Sequence, residues 1–433
     1  MTTVAGSSTT IAQKWFTTPL WKRIFLALVL GVIVGVIWGE GAQSIRWIGD
    51  LFIRLIQMVV VPLIFITIVA GVVAMGDPQK LGSLGIKTLI MYMGTTAVAI
   101  SVGLLLAVII QPGAGVDLTG GTPGALQDPV SFRDQMMSIV PTNPVAALAN
   151  GDVLAIIFFA VVFGMAILVV GKPAQPMATL MDAGADIMLK LTHWVMEFAP
   201  FGVFALIAWV AGTQGAAALL DVVALASTVI IACVVHTVLV HSCIMKFGLG
   251  LSPIKFFKGA KNAMLVAFST SSSMATLPVT LTAAEENLGI KPAVASTVLP
   301  LGATINMDGS AIYVGVVSVF AAQVFGVDLG FVDYLLVAAT TTMVSIGTAA
   351  VPGASVFLMA AVMASIGLTP EQIAVVVGFV LPFDRPLDML RTSVNVTGDL
   401  SVATAVANWE NEFDKEVFNS TGKSRRAAEQ ANV

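Results

Sequence analysis

Between residues 20 and 247 the chain repeats one pattern. Long apolar runs at 20–39, 46–75, 84–111, 152–171, 182–212 and 219–247 alternate with polar loops, the long one after residue 111 being too Gly/Pro-rich for a helix. About 20 consecutive apolar residues are what a helix needs to cross a bilayer. The whole chain fits that reading: 433 residues are 57% hydrophobic and 11% charged, where a soluble domain carries about 25% charged residues. The net charge of −4 says little, because placement of charge matters more here. Nothing points to a nucleic-acid partner. FLALVLGVIVGVIW follows Lys22 and Arg23 but leads into Gly-Glu-Gly without a convincing cleavage site, so it is expected to be the first span and not a leader. Cys233 and Cys243 share one apolar run and are expected to be buried packing residues with no disulfide.

Lys and Arg set the orientation. Basic residues precede the first span (Lys14, Lys22, Arg23) and follow the second (Lys80, Lys87), the fourth (Lys172) and the sixth (Lys246, Lys255, Lys258, Lys261). Lys423, Arg425 and Arg426 close the chain, while loops 112–135 and 213–221 hold only Arg133. All basic clusters fall on one side if both termini are cytoplasmic. That requires an even number of crossings, and eight fits. The short loops and compact tails suit a bacterial inner membrane.

Beyond residue 250 the pattern changes. Segments 252–288 and 328–366 have polar middles, STSSSMATLP and SIGTAAVPGAS, and neither spans cleanly. Each is expected to be a re-entrant hairpin, because non-helical backbone at membrane depth is tolerated only inside protein or facing water. Each is followed by a helix with an expected polar break: TVLPLGATINMDGSAIYVG after the first, and a helix containing NVTGD after the second. A hairpin and a broken helix, occurring twice, look like an inverted repeat, which in transporters marks the binding site.

The last of these helices carries DRPLDMLRTSVNVTGD. At helical spacing Asp384, Asp388, Arg391, Asn395 and Asp399 share one face, while Arg385 points elsewhere, toward an interface. Each such charge at mid-membrane costs about 2.5–3.5 kcal/mol, so partners are required. Pairing within the helix leaves Asp399 two turns beyond Arg391, and a cation is expected beside it. In NMDG, Asp308 follows Asn306, with Gly302, Thr304 and Gly309 close by. Carboxylate, carbonyl and hydroxyl oxygens suit a hard cation such as sodium; a lone intramembrane Asp can also carry protons. Ser271, Ser272 and Ser273 at the first tip, with the N–H groups of a helix start, suit a carboxylate. Arg391 would take a side-chain carboxylate in its bidentate fork, Asn395 and the tip another, and Asp388 an ammonium group. Together these describe an acidic amino acid. His193, His236 and His241 lie outside this region and are expected to be packing or interfacial residues.

Four stretches, SSSMATLPVT, NMDGSAIY, SIGTAAVPGA and DMLRTSVNVTGD, closely resemble the signature motifs of the dicarboxylate/amino acid:cation symporter family, over about residues 20–410. The resemblance implies an all-α polytopic membrane protein with eight transmembrane helices, two re-entrant helical hairpins and inverted repeats, the glutamate-transporter-homologue fold. It implies a homotrimer in the lipid bilayer working as an elevator. The N-terminal tail would cover 1–19, scaffold helices 20–75 and 112–213, transport-domain segments 76–111 and 214–410, and the C-terminal tail 411–433. Carried over by resemblance, the substrate would be held by Ser271, Ser273, Ser310, Val351, Asp388, Arg391, Thr392 and Asn395. Three sodium ions are implied. One would use Gly302, Asn306, Asn395 and Asp399, and a second Thr304, Met307, Ser345, Ile346 and Thr348. The third would use Tyr92, Thr95, Thr96, Asn306 and Asp308.

Departures from relatives narrow the reading. Val314 stands where proton-coupled animal relatives have glutamate, which counts against proton coupling and potassium countertransport of that kind. Neither Ser271 nor Met389 is the arginine that archaeal or animal relatives place at one or other position. Met274 replaces a serine of the first tip and Ser355 a glycine of the second. Dicarboxylate carriers lack an aspartate at the position of Asp388, and neutral amino acid carriers lack the arginine of Arg391. The expected activity is therefore sodium-coupled uptake of aspartate or glutamate, with C4-dicarboxylate symport as the alternative. An intramembrane aspartyl protease would need a Gly-x-Gly-Asp motif, and the residues before Asp399 are Asn-Val-Thr-Gly. No enzyme activity is expected.

Overall fold

The computed structural model describes residues 18–74, 78–116, 139–213, 215–346 and 354–420, with Trp15, Leu118 and Met137. Among them the chain is all helical; its one β-bridge joins Ile290 to Phe413. Helix α1 (Leu20–Trp38) and α2 (Arg46–Ala74) are joined by a tight helical turn at Gly39–Ile45. They are followed by α3 (Pro78–Ile110), α4 (Pro144–Asn150), α5 (Val153–Val170), α6 (Gln175–Glu197) and α7 (Ala199–Thr213). Among the described residues four helical stretches, Lys22–Val73, Leu84–Ile110, Asp221–Gly248 and Pro292–Val324, are long and apolar enough to cross a membrane, and α6 with α7 makes a fifth if the bent pair counts as one.

The run at 182–212, expected as one span, is two helices bent by 47°. Pro200 explains the break: it has no N–H to donate to the ladder, and its ring crowds the carbonyl one turn back. The helix also begins earlier than expected, at Gln175. At the bend, Glu197 takes the guanidinium of buried Arg23 through two hydrogen bonds of 2.7 and 3.0 Å, tying α1 to α6. α1 packs along α7 and α2 along α5, α6 and α7. Close approach there depends on Gly35, whose Cβ position lies within 3 Å of Ala208 and Ala211.

The second half packs around three long elements. Helix α8 (Gly215–Val235) continues to Gly248 through two wide turns at His236–Val240 and Ile244–Gly248. α9 (Pro253–Thr270) and α10 (Ser273–Thr282) form a helix–turn–helix. Its turn is made by Ser271, in left-handed conformation at φ 52°, and by Ser272, whose hydroxyl caps α10 by accepting from the Ala275 N–H. α11 (Pro292–Ile305) and α12 (Asp308–Val324) are separated by Asn306 and Met307, both outside helical geometry, so the NMDG break is present. α13 (Phe331–Ile346) packs against α14 (Ala354–Ser365); the expected tip between them, 347–353, lies outside the described residues.

The last long helix, α15 (Pro370–Trp409), corrects one expectation. NVTGD does not break it: the helix runs 40 residues without interruption. Several of its hydroxyl and amide side chains are engaged where they stand. Thr392, Thr397 and Thr404 donate to carbonyls one turn back, and Asn395 and Asp399 are engaged by the break in α11–α12. One broken helix therefore faces one continuous helix. α15 packs on α9, α11, α12 and α3. Its end is fixed by Lys87–Glu410 and Lys291–Glu412 ion pairs of 2.7 and 2.8 Å. Cys233 is buried as expected, but Cys243 is exposed on the outer side of the wide-turn segment; both are free thiols.

Candidate functional site

α15 contributes the charged face and the α11–α12 break contributes the polar backbone opposite it. Arg391 is the largest fully buried side chain, at 0% exposure. Its Nη2 lies 2.8 Å from Asp384 Oδ1 and 2.9 Å from Asp388 Oδ1. Its guanidinium sits over the Tyr313 ring, 3.8 Å from the centroid. Only one nitrogen is thereby used. Among the described residues Nε and Nη1 have no acceptor, so three N–H donors are buried and unspent there. Leaving such donors unsatisfied is costly, and their planar fork matches a carboxylate.

Arg385 does not point away as expected. It is 7% exposed, and its Nη1 reaches Asp388 Oδ2 at 3.4 Å. The pair is spaced i,i+3, and such residues are neighbours on a helix surface; the long arginine stem covers the remaining angle. Asp388 thus lies between two guanidiniums.

A second centre lies two turns along. Asn306 Nδ2 donates to Asp399 Oδ1 at 3.0 Å and to the Asn395 carbonyl at 3.3 Å. Asn395 Oδ1 accepts from the Gly309 N–H at 2.8 Å, and its amide donates to Met307 Sδ at 3.2 Å. From α3, Thr95 donates to Asn306 Oδ1 at 3.3 Å and Thr96 to Asp308 Oδ1 at 2.8 Å. The Tyr92 hydroxyl donates to the Val298 carbonyl at 3.0 Å. Gly302 faces this hydroxyl and the Asp399 carboxylate so closely that a Cβ would collide with both. Asp308 and Asp399 are both fully buried, and among the described residues neither forms an ion pair with Lys or Arg. Two buried carboxylates without a cationic partner are expensive, and the oxygens around them suit a hard cation.

Tyr92, Thr95, Thr96, Gly302, Asn306, Met307, Asp308, Asn395 and Asp399 are therefore one contiguous group. Thr304 and Ser345 are not joined to it: each hydroxyl donates within its own helix, to Leu301 and Thr342 carbonyls at 2.9 and 2.8 Å. Ile346 closes α13, and Thr348 and Val351 lie outside the described residues. At the first turn Ser271 and Ser273 are buried, and among the described residues the Ser271 hydroxyl has no partner. α10 lies against α15, and Ser310 is buried beside Gly309. Thr392 spends its hydroxyl on the Asp388 carbonyl at 2.8 Å.

Sequence reasoning missed His236. It is fully buried, with Nε2 3.2 Å from Asp308 Oδ2, inside the very region it was expected to avoid. His241 is equally buried beside it. The only available signal was their position in the apolar run that precedes the first helix pair. His193 is 59% exposed near Glu197, as an interfacial residue should be.

Comparison with known proteins places this geometry. The model of the sodium:dicarboxylate symporter family matches residues 20–409. A proton/glutamate-aspartate symporter of Bacillus subtilis is 37% identical over 90% of this chain and 95% of its own. A proton/sodium-glutamate symport protein of Geobacillus stearothermophilus is 35% identical over 91% of this chain and 95% of its own. A C4-dicarboxylate transport protein of Rhizobium johnstonii is 30% identical over 93% and 91%.

Proposed function

The chain belongs to the sodium:dicarboxylate symporter family, and from that premise we propose that it takes up aspartate or glutamate together with sodium ions. It is a transporter and not an enzyme. The observation that carries the substrate reading is Arg391, with three buried N–H donors unspent and Asp388 one turn away. In this reading the substrate side-chain carboxylate takes Nε and Nη1. The ammonium group approaches Asp388, whose charge is shared with two guanidiniums until substrate arrives. The α-carboxylate takes the Asn395 amide, the N-terminus of α10 and the Ser271 and Ser273 hydroxyls. Ser310, Thr392 and the backbone near Val351 complete the pocket.

Sodium is the proposed coupling ion, although relatives carry both proton and sodium in their names. One ion would use Tyr92, Thr95, Thr96, Asn306 and Asp308, and a second Gly302, Asn306, Asn395 and Asp399. A third would use Thr304, Met307, Ser345, Ile346 and Thr348. Asn395 and the Asn306–Met307 break touch both substrate and ion groups, which supplies a physical route for coupling.

The packing supports an elevator. α1, α2, α5, α6 and α7 pack on one another, as do α3, α8 and the elements from α9 to α15. The first group would be the scaffold and the second the moving body. Apolar side chains such as Ile37 and Val169, 80% and 87% exposed, suit lipid or a neighbouring subunit of a trimer in the inner membrane.

The test is aspartate binding to purified protein by calorimetry, with and without sodium. Binding that requires sodium and is displaced by glutamate but not succinate supports the proposal. Displacement by succinate as effectively as by aspartate supports C4-dicarboxylate symport instead.

A further inference from the structure

Two histidines on α8 and its continuation stand five residues apart. On an α-helix, five residues turn by about 500°, leaving the pair roughly 140° apart. The segment His236–Val240 is instead wound as a wide π turn, a local feature that recurs at functional sites. It stacks His241 against His236, ring centroids 5.1 Å apart and planes at 81°. Asp308, at the start of α12, faces both. Candidate donor atoms of His236, His241 and Asp308 all lie within 4.8 Å of one another, and all three residues are fully buried.

The hydrogen-bond accounting is incomplete. Asp308 Oδ1 is engaged by Thr96, and Oδ2 by His236 Nε2 at 3.2 Å. Among the described residues, His236 Nδ1 and both ring nitrogens of His241 have no partner. An imidazole with two buried, unspent nitrogens needs a ligand. Two imidazoles and a carboxylate are a donor set for a borderline transition-metal ion in tetrahedral coordination, with one position left open. Bonds of about 2.0–2.2 Å bring tetrahedral donors to roughly 3.4 Å apart, which small ring rotations achieve from the observed spacing.

We propose that His236, His241 and Asp308 form a binding site for a divalent transition-metal ion of the zinc type, within the body that holds the transport site. The metal takes Oδ2 of Asp308 while Thr96 keeps Oδ1. Resting on the cation reading above, it competes with sodium, since both need the Asp308 carboxylate.

Full-length, tag-free protein in detergent, carrying His193→Asn to remove the exposed histidine, is titrated with zinc chloride in choline chloride buffer. Calorimetry is expected to give one ion per chain. His241→Leu and His241→Gln, each checked for monodisperse elution, weaken binding by roughly 10–100-fold. The glutamine variant keeps a polar side chain in place should leucine fail to fold. Cobalt(II) in place of zinc gives the visible absorption of a four-coordinate site, lost in the same variants. No zinc binding by the folded protein, or binding that the His241 substitutions leave unchanged, overturns the site. Sodium that weakens zinc binding supports the shared carboxylate. Zinc binding that depends on His241 but ignores sodium keeps the metal site and overturns only the sodium role of Asp308.

Discussion

Arg391 lies over the face of Tyr313, its guanidinium carbon 3.8 Å from the ring centroid, with both side chains fully buried. The ring supports the cation from one side and Asp384 and Asp388 hold one nitrogen from another. The remaining donors point to a ligand of fixed orientation. Arg391→Ala would leave two buried carboxylates short of their counter-charge, a loss of about 3–5 kcal/mol. Aspartate affinity by calorimetry is expected to fall on the order of 100-fold or more. Arg391→Lys keeps the charge but not the fork, and should recover only part of it.

Tyr313 offers a finer test. Tyr313→Leu removes the ring face and is expected to cost about 2 kcal/mol of aspartate binding, the size of a desolvated cation–π contact. Tyr313→Phe keeps the face and should stay within about 1 kcal/mol of the native protein. Equal losses in both would place the effect on the hydroxyl and not the ring.

Asp388→Asn separates amino acids from dicarboxylates. The change removes the group assigned to the ammonium while leaving Asp384 on Arg391. Competition assays are expected to show aspartate weakened by roughly tenfold or more and succinate improved relative to it. An unchanged ratio of the two would remove the ammonium assignment.

Gly302 is held against the Tyr92 hydroxyl and the Asp399 carboxylate with no room for a methyl group. Gly302→Ala should therefore destabilise the fold by about 1–3 kcal/mol through overpacking. It should also flatten the rise in thermal midpoint that sodium gives the native protein, because a ligand bound only by the folded state stabilises it. Asp399→Asn removes one charge without overpacking. It should shift the same sodium dependence to higher concentration with little loss of stability in sodium-free buffer.

How much of this was legible beforehand depended on whether local pattern or tertiary contact decided the outcome. The spacing of Asp384, Asp388, Arg391, Asn395 and Asp399 placed them on one helical face because period 3.6 is a local property, and the NMDG break followed from Asn306 and Gly302 in the same way. NVTGD looked like a second break, yet α15 is continuous. Its Asn395 and Asp399 are engaged by Gly309 and Asn306, 86 and 93 residues away in sequence and invisible to any local rule. Arg385 was misplaced because angle alone ignores the reach of an arginine. His236 and His241 were passed over because they lie outside the broken-helix region in sequence, and nothing in HTVLVH announces the wide turn that stacks them.

In the proposed mechanism two buried centres against α15, one built on Arg391 and one on Asp399 together with Asp308 of α12, bind an acidic amino acid and sodium as a coupled pair. Uptake of labelled aspartate into proteoliposomes tests it most directly, comparing an inward sodium gradient with an inward proton gradient, each with succinate and glutamate as competitors. The account predicts accumulation under the sodium gradient, blocked by glutamate and indifferent to succinate, and none under the proton gradient alone. Accumulation driven by protons without sodium, or abolished by succinate, would contradict it.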